Sequence, residues 1–450
     1  MPATSRKLVL VVIDGLTPSV FEHAVEAGAA PTLAYLADAG RYRRALSTFP
    51  SLTPVCASSI ATGAHPDVHR IPHLVWYHRD ERRLVEYGSS FGALKAAGTR
   101  RSIVDTIFHM NGRHLGADAR TVFEALDDAG LVTAAVNFTC YRGRTEHRTT
   151  LPGVARRARG PRRFFYYSLF ESDETGAPLA VRNRSAGSID EYAAAVGRWL
   201  VTRDGFDFLV YYLSDYDYAS HVLGPEGAAG KLADADRAVG ALLEAAGGGD
   251  EVLERYDVLL CSDHGQTTVD RAAPLERSYS DLRVFRGGRA QADVAVCASN
   301  RAGQVYRLPG CAEDVRSLAE RLDRHEAADV VLFREEGDAV ARRRREELRF
   351  RPDNGGFRVD GDPSVLADHP DALPRAWAAL ANPHAGEILV SAAAGYEFTD
   401  LGGRHHAGGG SHGSLSAGDS EVPMLAVGID SLPASITEVA PTVLAHLGVD

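Results

Sequence analysis

No apolar run in this 450-residue chain approaches the roughly 20 residues needed to cross a bilayer, so nothing points to an integral membrane protein. The first apolar stretch, Leu8 to Ile13, is too short for a secretory leader and ends in Asp14-Gly15 instead of a small-residue cleavage site. A cytoplasmic location is therefore expected. Cysteine is scarce: the five residues Cys56, Cys140, Cys261, Cys297 and Cys311 show no paired spacing, which argues for reduced thiols and against a disulfide framework. An excess of positive charge is missing too. The net charge of −11 is spread along the chain, so neither a nucleic-acid polymer nor a membrane surface is an expected partner. Internal repeats and low-complexity tracts are also lacking. What remains, 45% hydrophobic and 24% charged, is globular in composition and long enough for one large domain with insertions or for two domains.

Within that composition, three short apolar runs carry chemistry at their ends. Val258 to Cys261 is too short for a buried helix and is flanked by turn formers, so it reads as a buried parallel strand with Asp263, His264 and Gly265 at its carboxyl end. Leu8 to Ile13 has the same character and runs into Asp14-Gly15. Phe206 to Leu213 leads to Asp217 and His221, which are four apart and share a face if the segment is helical. The carboxyl edge of an open α/β sheet is where ligands bind. Around Thr53-Pro54, small and hydroxyl residues predict a turn feeding a helix with Thr53 at or near its N-terminus, where free N–H groups and the helix dipole suit a phosphate. Taken singly, each has a plainer reading: Asp-His-Gly as a capped turn, Thr53 as an N-cap, the Asp217 pair as a solvated loop. The segment Gly402 to Gly413 is rich in glycine and histidine, and His405, His406 and His412 fit a ligand loop closing over a site.

The rest of the chain supplies the frame. Helices are predicted at Pro18–Ala27, Pro31–Ala39, Thr121–Ala129, Ser188–Leu200, Leu232–Ala246 and Ala312–Leu322. Strands are predicted at Val132–Phe138, Ala292–Val296, Gln304–Leu308, Glu387–Val390 and Met424–Val427. Ser435 with Glu438 makes a capping-box pattern before the last helix, which Gly448 ends. Ala155 to Arg184, irregular, basic and aromatic, reads as loop or cap, and Arg342 to Arg345 as a solvated helix face. The expected fold is α/β: a mostly parallel central sheet with helices on both faces, formed by 1–279 and 386–450, with a smaller α+β insertion at 280–385 lying over the site.

Collected, Asp14, Asp217 and Asp263 with His221, His264 and His412 make two nitrogen/oxygen donor sets, suited to zinc or manganese more than to the all-oxygen shells of magnesium or calcium. Two such ions about 4 Å apart clamp the attacking and leaving oxygens of a phosphoryl transfer, and a hydroxyl activated in this way needs no neighbouring base. The order Asp14, Thr53, Asp217 with His221, Asp263-His264-Gly265 and His412-Gly413 resembles the alkaline phosphatase superfamily, most closely its type I nucleotide pyrophosphatase/phosphodiesterase branch. Phe49-Pro-Ser-Leu-Thr53, with Thr62-Gly63, is similar to that branch's nucleophile segment, and His69 fits the stretch after it. Asp217-Tyr-Ala-Ser-His221-Val-Leu-Gly-Pro225 is similar to its Asp-x-x-Gly-His-x-x-Gly-Pro motif, with Ser220 in the place of the first glycine.

The resemblance spans Asp14 to the last helix. It implies two divalent ions, zinc or else manganese, one held by Asp14, Thr53, Asp263 and His264 and the other by Asp217, His221 and His412. It also implies hydrolysis of a small phosphorylated substrate, a phosphodiester or nucleotide pyrophosphate, through a covalent phospho-Thr53. Two departures stand out: Cys56 occupies the place of an Asn donor three residues after the nucleophile, and His69-Arg70 and Leu74 replace a His-Gly and a downstream Asn. A thiol is a weak donor, so backbone N–H groups, the ions or another side chain must serve the phosphoryl oxygen. Arg70 and His73 read as surface residues. Phosphonate hydrolysis or phosphomonoester hydrolysis on the same site, and a non-catalytic metal-binding role, are the alternatives.

Overall fold

The computed structural model describes residues 6–150, 156–172, 188–203, 205–288 and 291–449. Its first strand, Lys7–Ile13 (β1), shows why the fold forms: Leu8, Leu10 and Val12 face one hydrophobic cluster, while Val9, Val11 and Ile13 face another. A strand buried on both faces must lie inside a sheet covered by helices on both sides, and each such Val, Leu or Ile contributes about 2 kcal/mol of burial. One face is covered by the helices Thr53–Thr62, Val122–Asp128 and Val439–His446, the other by Pro18–Glu26, Pro31–Ala39, Ile189–Val201 and Ala229–Ala245.

The remaining strands of this sheet are Arg41–Leu46 (β2), Thr133–Val136 (β3), Arg163–Tyr166 (β4), Phe170–Ser172 (β5), Phe208–Leu213 (β6) and Tyr256–Cys261 (β7), joined near the end of the chain by Glu421–Val427. β7, β1, β6, β3 and β4 are successive parallel neighbours, in that order. Antiparallel strands finish both edges: β5 beside β4, and Glu421–Val427 then β2 beside β7. The sheet is thus the mostly parallel one expected, with β1 central and its two neighbours carrying the other acidic strand ends.

Between β7 and Glu421–Val427 the chain builds a second sheet of seven antiparallel-paired strands, from Val294–Ser299 through the Gly356–Gly361 edge, with Ile388–Ala392 in its interior. Two short pairings form a neck at its root: Thr267–Val269 with Gly409–Ser411, and Arg271–Ala273 with Tyr396–Phe398.

Three local expectations are corrected. The strand expected at Glu387–Val390, assigned to the core side of the boundary at 386, lies in the second sheet between Ala302–Arg307 and Ala328–Glu335. Arg342 to Arg345 form no helix: Arg343 pairs with Glu346, and Arg344 and Arg345 make the two-residue turn of a hairpin with φ of +54° and +75°. The stretch from Ala155 is strand-rich where described, holding Arg157–Gly160, β4 and β5, while residue 155 and residues 173–184 of the expected loop lie outside the described residues. Among the described residues, no helix is long and apolar enough to cross a membrane.

Candidate active site

Because β7, β1 and β6 are adjacent and parallel, their carboxyl ends release three acidic segments at one edge of the sheet. β1 ends directly in Asp14. β7 is followed by Asp263 and His264, and β6 by the helix Asp215–Leu223, which sets Asp217 and His221 one turn apart. Gly15 makes the turn after Asp14 at φ +70°, and its N–H donates to Asp263 Oδ1 at 3.3 Å. Thr53 is the first residue of the Thr53–Thr62 helix, after an extended Leu52 and before Pro54, which has no N–H to lose there.

The structure brings all seven candidates together, in two groups. Asp14, Asp263 and His264 offer donor atoms within 4.8 Å of one another, and so do Asp217, His221 and His412. Thr53 Oγ1 joins the first group, 3.1 Å from His264 Nε2. Asp14 Oδ1 lies 3.4 Å and Asp263 Oδ2 3.6 Å from that same nitrogen. In the second group His221 Nε2 is 3.3 Å from Asp217 Oδ2. The rings of His264 and His412 stack at 3.6 Å between centroids and join the two groups.

Hydrogen bonding fixes what each imidazole presents. Nδ1 of His264, His221 and His412 lies 3.0, 2.8 and 2.8 Å from the carbonyls of Gly265, Gly410 and Ser51. A carbonyl can only accept, so each Nδ1 carries the proton and each Nε2 keeps a lone pair turned into the site, the arrangement of a metal-binding histidine. Asp14 Oδ1 and Asp263 Oδ2 are buried and make no hydrogen bond. Their other oxygens are anchored: Tyr212 donates to Asp14 Oδ2, and the Gly15 and His264 N–H groups donate to Asp263 Oδ1. Two orphaned carboxylate oxygens beside an imidazole lone pair fit a divalent cation.

The electrostatics agree. Burial, then the charges of Asp263 and Asp217, hold the Asp14 carboxyl well above the usual range, and burial also raises Asp263. Burial works against ionised Asp217 as well, but before a cation binds, its pairing with protonated His221, which is raised in turn, outweighs burial and the net shift is downward; a cation at His221 Nε2 would take the place of that proton. Acids forced together at such a cost mark a site that awaits positive charge.

The groups open into a cavity of about 370 Å³. Tyr87, Tyr166, Tyr167, Tyr218, Leu74, Met110 and Val222 give it aromatic and apolar walls, Asn300 and His406 border it, and no Lys or Arg lines it among the described residues. Cys56 does not reach the cavity: its thiol is fully buried 3.2 Å from Ser47 Oγ, and burial pushes it up to about 12. His69 is likewise interior, 3.2 Å from Ser59 Oγ, with its imidazole pushed down to about 3 by burial. Nor is His73 a surface residue; it is fully buried, and Val75 N–H donates to its Nδ1. Arg70 does lie at the surface, paired with Asp118 at 3.2 Å.

The sequence alone does not single out Gln266 or Asn300, whereas His406 is one of the three loop histidines expected to close over the site. Gln266 donates to Asp217 Oδ1 at 3.0 Å, and its place just after Asp263-His264-Gly265 was a usable signal. His406 stacks on His221 at 4.0 Å and is held by Glu397 at 3.0 Å. Asn300 Nδ2 lies 3.0 Å from His412 Nε2, a contact between residues 112 positions apart that no local pattern announces.

Residues 8–415 match the family model described as type I phosphodiesterase / nucleotide pyrophosphatase. No curated protein sequence is significantly similar to the chain. Among solved structures, phosphonoacetate hydrolase from Sinorhizobium meliloti 1021 in complex with phosphonoacetate is similar at a TM-score of 0.62 and 19% identity, over 98% of this chain and 96% of that one. An inactive threonine-to-alanine variant of murine ectonucleotide pyrophosphatase / phosphodiesterase 5 in complex with AMP gives 0.63 and 13%, over 99% and 96%. The human counterpart gives 0.64 and 14%, over 99% and 96%. At these identities the likeness shows the fold.

Proposed function

Because the chain belongs to the type I phosphodiesterase / nucleotide pyrophosphatase family, and is thereby a phosphoester hydrolase, we propose that it cleaves phosphodiester or nucleotide pyrophosphate bonds of small substrates through a covalent phosphothreonine at Thr53. Two divalent ions, zinc before manganese, are assigned to Asp14, Thr53, Asp263 and His264 and to Asp217, His221 and His412. The observation that carries this is the donor set: three Nε2 lone pairs held inward by Nδ1 hydrogen bonds, with Asp14 Oδ1 and Asp263 Oδ2 unpaired beside them.

When bound, the ions supply charge to stabilise the Thr53 alkoxide and the phosphoryl oxygens, and they acidify the water that completes turnover. The chain does the rest. The Thr53 hydroxyl gives its proton to solvent as Oγ1 attacks phosphorus, the new P–O bond forms as the ester P–O bond breaks, and the departing oxygen takes a proton from solvent. The Thr53 N–H, with no acceptor among the described residues, is free to donate to a phosphoryl oxygen at the helix N-terminus. Water then cleaves the phosphothreonine and restores the hydroxyl.

A diester is favoured over a monoester or a phosphonocarboxylate by the cavity wall. It has tyrosines and apolar side chains for an ester group, and no described Lys or Arg to meet a second negative charge. The test compares zinc-loaded protein on bis-p-nitrophenyl phosphate and p-nitrophenyl phosphate. Faster diester turnover is expected, lost by about 10³-fold or more in Thr53→Ala. Turnover unchanged in that variant would sink the phosphothreonine, and a monoester preference would sink the diester assignment.

A further inference from the structure

We propose that the Asn300 carboxamide is a catalytic donor to the phosphoryl oxygen, supplied to the site by the second sheet. This rests on the phosphoester chemistry assigned to Thr53 above. A phosphoryl group in transfer spreads charge over three oxygens, and preorganised N–H donors aimed there lower the barrier. The described cavity wall has no Lys or Arg, Cys56 is buried behind Ser47, and Leu74 is apolar. Among the described residues, Asn300 alone brings a side-chain amide to the wall.

Its orientation is determined by its partners. His412 Nδ1 gives its proton to Ser51 O, so Nε2 can only accept, and the Asn300 atom 3.0 Å from it must be the N–H side of the amide. Asn300 Oδ1, on the other side, lies 2.9 Å from Ser299 Oγ. The amide is therefore aimed at the very lone pair assigned to a cation. Once a cation takes that lone pair, the N–H loses its acceptor, and a buried donor without one is costly. A phosphoryl oxygen bound in the cavity is the replacement at hand.

The main chain at Asn300 is held in place independently of its side chain. Asn300 sits in the turn between the paired strands Val294–Ser299 and Ala302–Arg307, at φ +56°, which Asn, Asp and Gly tolerate. Phe398 N–H donates to Asn300 O at 2.7 Å, and Arg301 N–H to His412 O at 2.7 Å. Asn300 is only 6% exposed, at the wall between the catalytic cavity and a second one of about 540 Å³.

Asn300→Gly keeps this backbone and removes the amide; Asn300→Asp keeps the shape and turns the donor into an anion. With zinc-loaded protein and bis-p-nitrophenyl phosphate, kcat/KM should fall about 10²-fold in Asn300→Gly, mostly in kcat, and at least as far in Asn300→Asp. Calorimetric binding of inorganic phosphate to the zinc-loaded Asn300→Gly protein should weaken about 10-fold, while zinc affinity, read by competition with a chromogenic chelator, stays within about threefold. Turnover and phosphate binding like those of the unaltered protein would overturn the proposal. So would zinc affinity falling in step with turnover, because Asn300 would then only be supporting His412. If the unaltered protein itself shows no Thr53-dependent turnover, the phosphothreonine reading fails and this proposal fails with it; turnover that depends on Thr53 but not on Asn300 refutes this proposal alone.

Discussion

Replacing Gly15 by alanine should disable one half of the site and spare the other. Gly15 sits at φ +70°, where an alanine costs about 1–2 kcal/mol. Its added Cβ would lie 2.6 Å from Asp217 Oδ1, and ordinary contact begins at 3.4 Å, so the carboxylate must retreat by the difference, 3.4 − 2.6 = 0.8 Å. That movement pulls Oδ1 away from Gln266 Nε2, now at 3.0 Å, and Oδ2 away from His221 Nε2, now at 3.3 Å. Losing the Gln266 bond adds about 1 kcal/mol, and the folded protein survives a total of this size. The effect on function is larger. Displacing a ligand or its support costs about 10- to 100-fold in metal affinity, and a misplacement approaching 1 Å costs about 10²-fold in rate. Zinc titration of Gly15→Ala against a chromogenic chelator should therefore show one site near its original affinity, that of Asp14, Thr53, Asp263 and His264, and one weakened. Diester turnover should fall about 10²-fold and recover in part at high zinc. Two sites of unaltered affinity, or equal weakening of both, would refute the assignment of Asp217 to a separate set.

Three further outcomes follow from buried groups. Asp190 lies under the start of the Asp215–Leu223 helix, its Oδ1 accepting the N–H groups of Ser214 and Asp215, and burial followed by the charge of Asp215 pushes its carboxyl up to about 7. A pKa raised by folding favours the folded state fully below the unfolded value near 3.8, and that gain is lost as pH rises through about 7. Melting temperature should thus fall from pH 5 to pH 8 with on the order of 3 kcal/mol at stake, and less steeply in Asp190→Asn; parallel curves would refute this. The Arg301–Asp419 pair, 2.7 Å apart with both side chains buried, should cost about 3–5 kcal/mol when broken by Asp419→Asn, seen as a lower urea midpoint, and a loss under about 1 kcal/mol would refute it. All five cysteines are buried free thiols, with Cys56 and Cys140 pushed up to about 12, so Ellman's reagent should find none in the native protein and five after denaturation. A native thiol that reacts within minutes contradicts this.

The parts of the fold that could be read in advance share one physical property. β1, β6 and β7 are continuous apolar runs because helices cover both of their faces, and the first polar residues after them fall at the sheet edge where ligands collect. The second sheet hides itself better. Its Arg342 to Arg345 segment is half solvated, carries ion pairs such as Arg342 with Glu347 at 3.0 Å, and turns through two arginines with no Asn or Gly to mark the place. β4 and β5 escaped notice for a related reason: they are short and follow basic, irregular sequence. His73 was misjudged because nothing local tells a buried histidine from an exposed one; it is fully enclosed, with Val75 N–H donating to its Nδ1. Asn300 depends on a turn of one sheet meeting a loop of the other, which only the assembled chain contains.

The neck beneath the second sheet has an entropic consequence. β7 and Glu421–Val427 are hydrogen-bonded neighbours, yet the chain wanders through roughly 160 residues between them, and closing a flexible loop of that length costs about 4–5 kcal/mol before any constant term. The pairings of Val269 with Gly409 and of Arg271 with Tyr396 remove most of that cost once formed. Seen from the central sheet, a folded and tied-off excursion counts as little more than a hairpin. The tie lies just before His412, so the zipping that shortens the excursion also delivers the third histidine to the sheet edge. The second sheet can therefore lengthen, shorten or change its strands without disturbing the register of β1, β6 and β7, provided that the knot at its base is kept.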